Sequence, residues 1–265
     1  MEKAAALDPK NESVLINLAY SYLALRNFEA ADKTVDRAIA ITPQSFATLA
    51  LKGYLAAALR GDLTEAERQI SAVPAEVDPN GLITWMRTWV LMLQRKWPEA
   101  LAVVQKFSGE TLIIGTTVPL PKAFLEGSIH FLEGDKPRAQ IEFEKARVVS
   151  EQLLRDAPDD ATRHAQHGLI LAALGRKEEA IAEGKRAVEL LPESRDAFDG
   201  PGCTTALAQI YAWTGETDEA FRLLDHLLSV PNGLAVPMLK LDPAWDPLRK
   251  DPRFQALIDK YTAKR

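Results

Sequence analysis

ESVLINLAYSYLALRNFEAADKTVDRAIAITPQS, residues 12 to 45, carries two hydrophobic stripes separated by a turn. Leu15, Leu18, Ala19 and Tyr22 are spaced three, one and three residues apart, which is one face of a helix. Beyond Arg26-Asn27 a second face follows in Ala31, Val35, Ala38 and Ile39, and Pro43 ends that helix. Neither helix can bury its stripe alone, so the two must pack on each other and on neighbours. Pro9 stands 34 residues before Pro43, and a helix pair inside a period of that length marks a stacked array.

The same template recurs along the chain. Repeats are expected near residues 12–45, 46–79, 80–107, 122–158, 159–192 and 193–231, within an array over 1–241. The second turns at Gly61-Asp62 and closes at Pro79; the third turns at Arg95-Lys96-Trp97, with Pro98 opening its second helix. The fourth meets no proline until Pro158, so its second helix should run about two turns long. The sixth carries an insertion, Phe198-Asp199-Gly200-Pro201-Gly202, before its first helix.

Ser108 to Pro121 (SGETLIIGTTVPLP) breaks the period; with two Gly and two Pro it should form an irregular insertion, packed down by Leu112, Ile113 and Ile114. Residues 1–11 read either as the remnant of a preceding repeat, hence as part of a longer protein, or as a lone helix covering the first full repeat. Residues 242–265 should form a capping segment. Asp246-Pro247 and Asp251-Pro252 each set an N-cap residue before a helix-opening proline. Phe254, Leu257, Ile258 and Tyr261 should cover the face around Leu224 and Leu227 and bury Trp245.

Residues 12–45 resemble the tetratricopeptide repeat family. The pair Leu18-Ala19, Tyr22, the small Ala31 and Ala38, and Pro43 fall at that family's pattern positions. The stretches SRDAFDGPGCTTALAQIYAWTGETDEAF (194–221) and LKLDPAWDPLRKDPRFQALI (239–258) are similar to the end of a group of bacterial signalling proteins. There such an array follows a kinase, cyclase or DNA-binding domain. The resemblance implies an all-α, right-handed superhelix of five to six helix pairs. It also implies a non-catalytic protein-interaction scaffold, the C-terminal docking or sensor part of a larger protein.

In that family the first helices line the concave side. The residues left over once the intra-repeat stripes are assigned include Ile16, Tyr20, Tyr54, Trp85, Trp89, Met92, Phe124, Phe131, Leu169, Gln209 and Trp213. Aromatic residues recur here and charges are nearly absent, whereas a clamp for a C-terminal carboxylate needs Lys, Arg and Asn. One reading is a groove for an apolar peptide or helix. The other is inter-repeat core, in a structural or dimerising element whose groove is filled by its own tail or loop.

Net charge over the 265 residues is −5, with no dense Lys/Arg run, so nucleic acid is not an expected partner. The single Cys203 excludes an intrachain disulfide and suits a reducing compartment. No apolar run approaches a membrane span and no signal peptide opens the chain, so a cytoplasmic location is expected. Phosphate loops, dinucleotide fingerprints and zinc-ligand spacings are missing from the sequence. His164 and His167 occupy packing positions. Neither enzymatic activity nor a metal or cofactor is expected; the oligomeric state is left open.

Overall fold

Each hydrophobic stripe becomes a helix, and the helices pair as the period requires. The structure is a computed structural model and describes residues 1–74, 78, 80–114, 118–231 and 234–263. Helix α1 (Glu2–Leu7) precedes six pairs: α2 (Glu12–Ala24) with α3 (Phe28–Ile41); α4 (Phe46–Leu55) with α5 (Leu63–Ser71); α6 (Leu82–Leu93) with α7 (Trp97–Lys106); α8 (Lys122–Glu133) with α9 (Lys136–Asp156); α10 (Ala161–Ala173) with α11 (Lys177–Leu190); α12 (Gly200–Thr214) with α13 (Thr217–Ser229). The second closing proline, Pro79, lies outside the described residues.

Local chemistry sets the helix ends. Asn11, Asn27, Asp62, Asp135 and Asp160 each accept a backbone N–H of the helix that follows, the usual N-cap arrangement. The turn inside each pair needs one left-handed residue. Gly61, Gly134, Gly175 and Gly215 supply it in four repeats, but Arg26 (φ 57°) and Arg95 (φ 59°) supply it in the first and third. A side chain there costs about 1 kcal/mol, so these two arginines require an offsetting role.

Clusters of buried side chains link neighbouring pairs into one array. Ala19, Val35, Leu51 and Leu55 join the first two repeats; Ala139, Phe143, Ala146 and Ile170 join the fourth and fifth. A Cβ at Gly168 or at Gly184 would sit 2.7 Å from Ile210 Cδ1, so the bare α-carbons at both positions let α10 and α11 pack closely on α12. Ala5 of α1 packs with Leu15, Leu18 and Ala38.

Two expectations are corrected. Ser108 to Pro121 is not an irregular loop. Strands β1 (Thr111–Ile114) and β2 (Val118–Pro121) pair antiparallel, with Leu112 opposite Leu120. The β-branched run favours extended backbone, and Leu112 and Leu120 are buried beside Val104 and Ile129. The backbone N–H of Ile113 donates to Asn80 O at 2.8 Å. The side chains of Ile114 and Val118 and residues 115–117 lie outside the described part. The insertion before the sixth repeat is also shorter than expected, because Gly200, Pro201 and Gly202 already form the first turn of α12. Proline suits that turn, and a Cβ at Gly200 would meet the Glu193 backbone at 2.9 Å.

The C-terminal residues hold the ends of the array together. Between α13 and the last helix runs a strap, formed by α14 (Val236–Leu241) and a 3₁₀ turn (Pro243–Leu248). Helix α15 (Pro252–Thr262) then buries Phe254, Leu257, Ile258 and Tyr261 in one cluster with Leu224, Leu227 and Trp245. Met238 and Leu241 of the strap pack against the second- and third-repeat cluster that includes Trp85 and Trp89.

The two left-handed arginines complete the closure. Arg26 donates from Nε to Val230 O (2.7 Å) and from Nη2 to Leu227 O (2.9 Å) and Leu234 O (3.1 Å). Arg95 grips both oxygens of Asp246 at 2.7 and 2.8 Å. Trp213 donates its indole N–H to Ala244 O at 2.9 Å.

Candidate functional site

Closure leaves a cavity of about 470 Å³ between the first two repeats, the sixth repeat and the strap. Tyr20 comes from α2, Tyr54 from α4, Thr205 and Gln209 from α12, and Met238 from α14. The turn of the first repeat adds Arg26, the start of α3 adds Phe28, and the loop before α12 adds Phe198 and Asp199. Tyr20, Tyr54 and Phe198 are exposed at 42%, 38% and 47%, although each is a large ring. Although water reaches both rings, the cavity walls around them partly desolvate the phenols of Tyr20 and Tyr54 and raise them, and Tyr20 adds to the shift at Tyr54. The Asp199 carboxyl is also raised, first by burial and then by the nearby Asp196.

The structure divides the expected concave strip into four parts. Tyr20, Tyr54 and Gln209 meet at the cavity. Trp85 and Trp89 stack nearly parallel at 5.9 Å, Tyr54 stacks on Trp89 at 5.7 Å, and Met238 and Leu241 pack on the same cluster. Farther along, Phe124 and Phe131 meet Phe143 edge-on at 6.0 and 6.1 Å, and Phe131 lies 5.0 Å from Trp213. Ile16, Met92 and Leu169 are partly buried against inter-repeat clusters.

Phe28, Arg26, Phe198 and Asp199 line the cavity, yet the helical spacing does not single them out. Two signals were available. The stretch 198–202 departs from the period, and Arg26 occupies a turn position that is glycine in four other repeats.

The nucleophilic and ligating side chains are engaged elsewhere. Cys203 is buried, and burial pushes its thiol to about 11. His167 bonds Ser150 Oγ at 2.8 Å, and His164 contacts Glu183 and Pro158 O. Among the described residues no group of three His, Cys, Asp or Glu could hold a metal, and no helix is long and apolar enough to cross a membrane.

Residues 1–55 match the family profile described as tetratricopeptide repeat. No curated protein matches the chain. Among solved structures, the chain is similar to the APC/C hetero-tetramer Cut9-Hcn1, at 14% identity over 98% of this chain and 44% of that one, with a TM-score of 0.51. It is also similar to an IFIT1 monomeric mutant with Gppp-AAAA, at 13% identity over 96% of this chain and 59% of that one, with a TM-score of 0.53. TTC0263, a thermophilic TPR protein of Thermus thermophilus, is 20% identical over 96% of this chain and 100% of its own, with a TM-score of 0.37. The first two likenesses show a helical-repeat fold. The tetratricopeptide repeat match itself covers residues 1–55.

Proposed function

We propose that this tetratricopeptide-type array is a non-catalytic interaction scaffold that holds a peptide in the concave cavity between its first two repeats and its sixth. One observation carries the reading. Of the four aromatic side chains exposed among the described residues, three (Tyr20, Tyr54 and Phe198) converge on this one cavity. Rings left wet on a concave surface are what a peptide's apolar side chains would dehydrate. A finer placement, as the cytoplasmic C-terminal docking or sensor part of a larger bacterial signalling protein, is supported by the likeness of residues 194–221 and 239–258 to the ends of such proteins.

The test is to pan the folded chain against a random peptide library and measure a selected peptide by fluorescence anisotropy. Tyr54→Ala should weaken binding about tenfold or more while the variant keeps its fold. Undiminished binding to both Tyr54→Ala and Tyr20→Ala, or no selected peptide at all, would refute the reading.

A second reading has its own observation. Met238 and Leu241 already cover the cluster of Trp85 and Trp89, so in the second and third repeats the chain fills its own groove. On that reading the array is a structural element. Replacing Met238 and Leu241 by alanine would then cost stability and yield no new peptide binding.

A further inference from the structure

We infer that the cavity selects a peptide carrying a lysine or arginine, whose cationic side chain sits among the aromatic walls against Asp199. The inference rests on the peptide-binding reading above. Tyr20, Phe28, Tyr54 and Phe198 line the cavity, and aromatic faces attract cations through their negative π-surface. Two charged residues share these walls, Arg26 and Asp199.

Arg26 is committed: it donates to Val230 O, Leu227 O and Leu234 O, at the carbonyl end of α13 where the helix dipole is negative. Asp199 is not committed. It stands at the N-cap position of α12 without a side-chain capping bond. Among the described residues no Lys, Arg or His forms an ion pair with its carboxylate. Asp199 is exposed at the cavity rim, and its partial burial and the nearby Asp196 carboxylate both raise its carboxyl. Asp196 is itself occupied, accepting the backbone N–H groups of Phe198 and Asp199 at 2.8 and 2.9 Å. A cation entering the cavity would relieve Asp199 and meet the rings together. An acidic side chain would face Asp199 with only an already engaged Arg26 to meet it.

The experiment uses four synthetic peptides, acetyl-Ala-Leu-Ala-X-Ala-Leu-Ala-amide, with X as Lys, Arg, norleucine or Glu, titrated calorimetrically into the full chain. The Lys and Arg peptides should bind about tenfold tighter than the norleucine peptide, whose stem is similar but uncharged. Asp199→Asn keeps the shape and the backbone bond to Asp196. It should erase that preference without lowering the melting temperature. Equal binding of all four peptides, tightest binding of the Glu peptide, or a preference that survives Asp199→Asn overturns this inference and leaves peptide binding standing. If no peptide binds the folded chain, both readings fall.

Discussion

At the scale of single residues, Arg26 shows how a local cost is offset at long range. Its left-handed backbone costs about 1 kcal/mol that glycine would not incur. Its guanidinium satisfies three carbonyls more than 200 residues away, and bonds from a charged donor contribute about 1.5–3 kcal/mol each. The bonds outweigh the strain. Arg26→Gly is therefore expected to lower thermal stability, by at least about 3 kcal/mol at the unfolding midpoint, even though it relaxes the turn. Arg26→Lys should not rescue it, because an ammonium lacks the planar fork. A glycine variant that melts higher than the parent would show that the closure contributes less than the strain. The sequence displays the anomaly of Arg26, since other repeats place glycine at the turn. What it cannot display is the partner, because the carbonyls that Arg26 meets belong to no motif.

Asp242, at the head of the 3₁₀ turn, extends this to pH. Burial foremost pushes its carboxyl from an ordinary 3.8 up to about 6, against the opposing bond from the Ala244 N–H. For an acid whose folded value is raised, the folded state holds the proton more tightly than the unfolded chain does. Its contribution is most favourable below about 4 and is lost as pH rises through about 6. Asp242→Asn, which can still cap but cannot ionise, should melt above the parent at about pH 7. The difference should shrink towards about pH 4. A difference independent of pH would contradict this assignment.

At the scale of elements, the six helix pairs are legible because an amphipathic stripe and a period near 34 residues each point to the same answer. Two elements are not legible in that way. The β-hairpin strands have four residues each and contain Pro119 and Pro121, too short and too interrupted for an alternating pattern to stand out. The strap matches no repeat template, and its docking on the second and third repeats is purely tertiary. The stripe of α15, by contrast, is plain in the sequence, and its four apolar residues are buried against the sixth repeat. Removing the chain from Pro252 onward should expose Leu224 and Leu227. Each buried side chain contributes about 1.5–3 kcal/mol before entropy is subtracted. The shortened chain should melt lower and associate through the bared face. An unchanged melting temperature with a monomeric chain would mean that α15 does not cap the array.

At the scale of the whole molecule, the concave strip acquires its meaning only through closure. Read residue by residue, Tyr20, Trp89 and Phe131 look equivalent, each on the expected inner face. Once Arg26 and Arg95 tie the early repeats to the end of the chain, they part company. Tyr20 faces the cavity, Trp89 lies in the cluster that the strap contacts, and Phe131 packs on Phe143 and Trp213. The cavity needs both ends of the array, so breaking both latches, with Arg26→Ala and Arg95→Ala together, should weaken peptide binding more than any single wall substitution. The central claim is that a peptide binds in this concave space, and the most direct measurement is backbone amide chemical-shift mapping of a panned peptide on the folded chain. Occupancy of the cavity requires the shifts to cluster around Tyr20, Tyr54, Gln209 and Met238. Shifts confined to the outer faces of α3, α5 and α9, or none at saturating peptide, would contradict it.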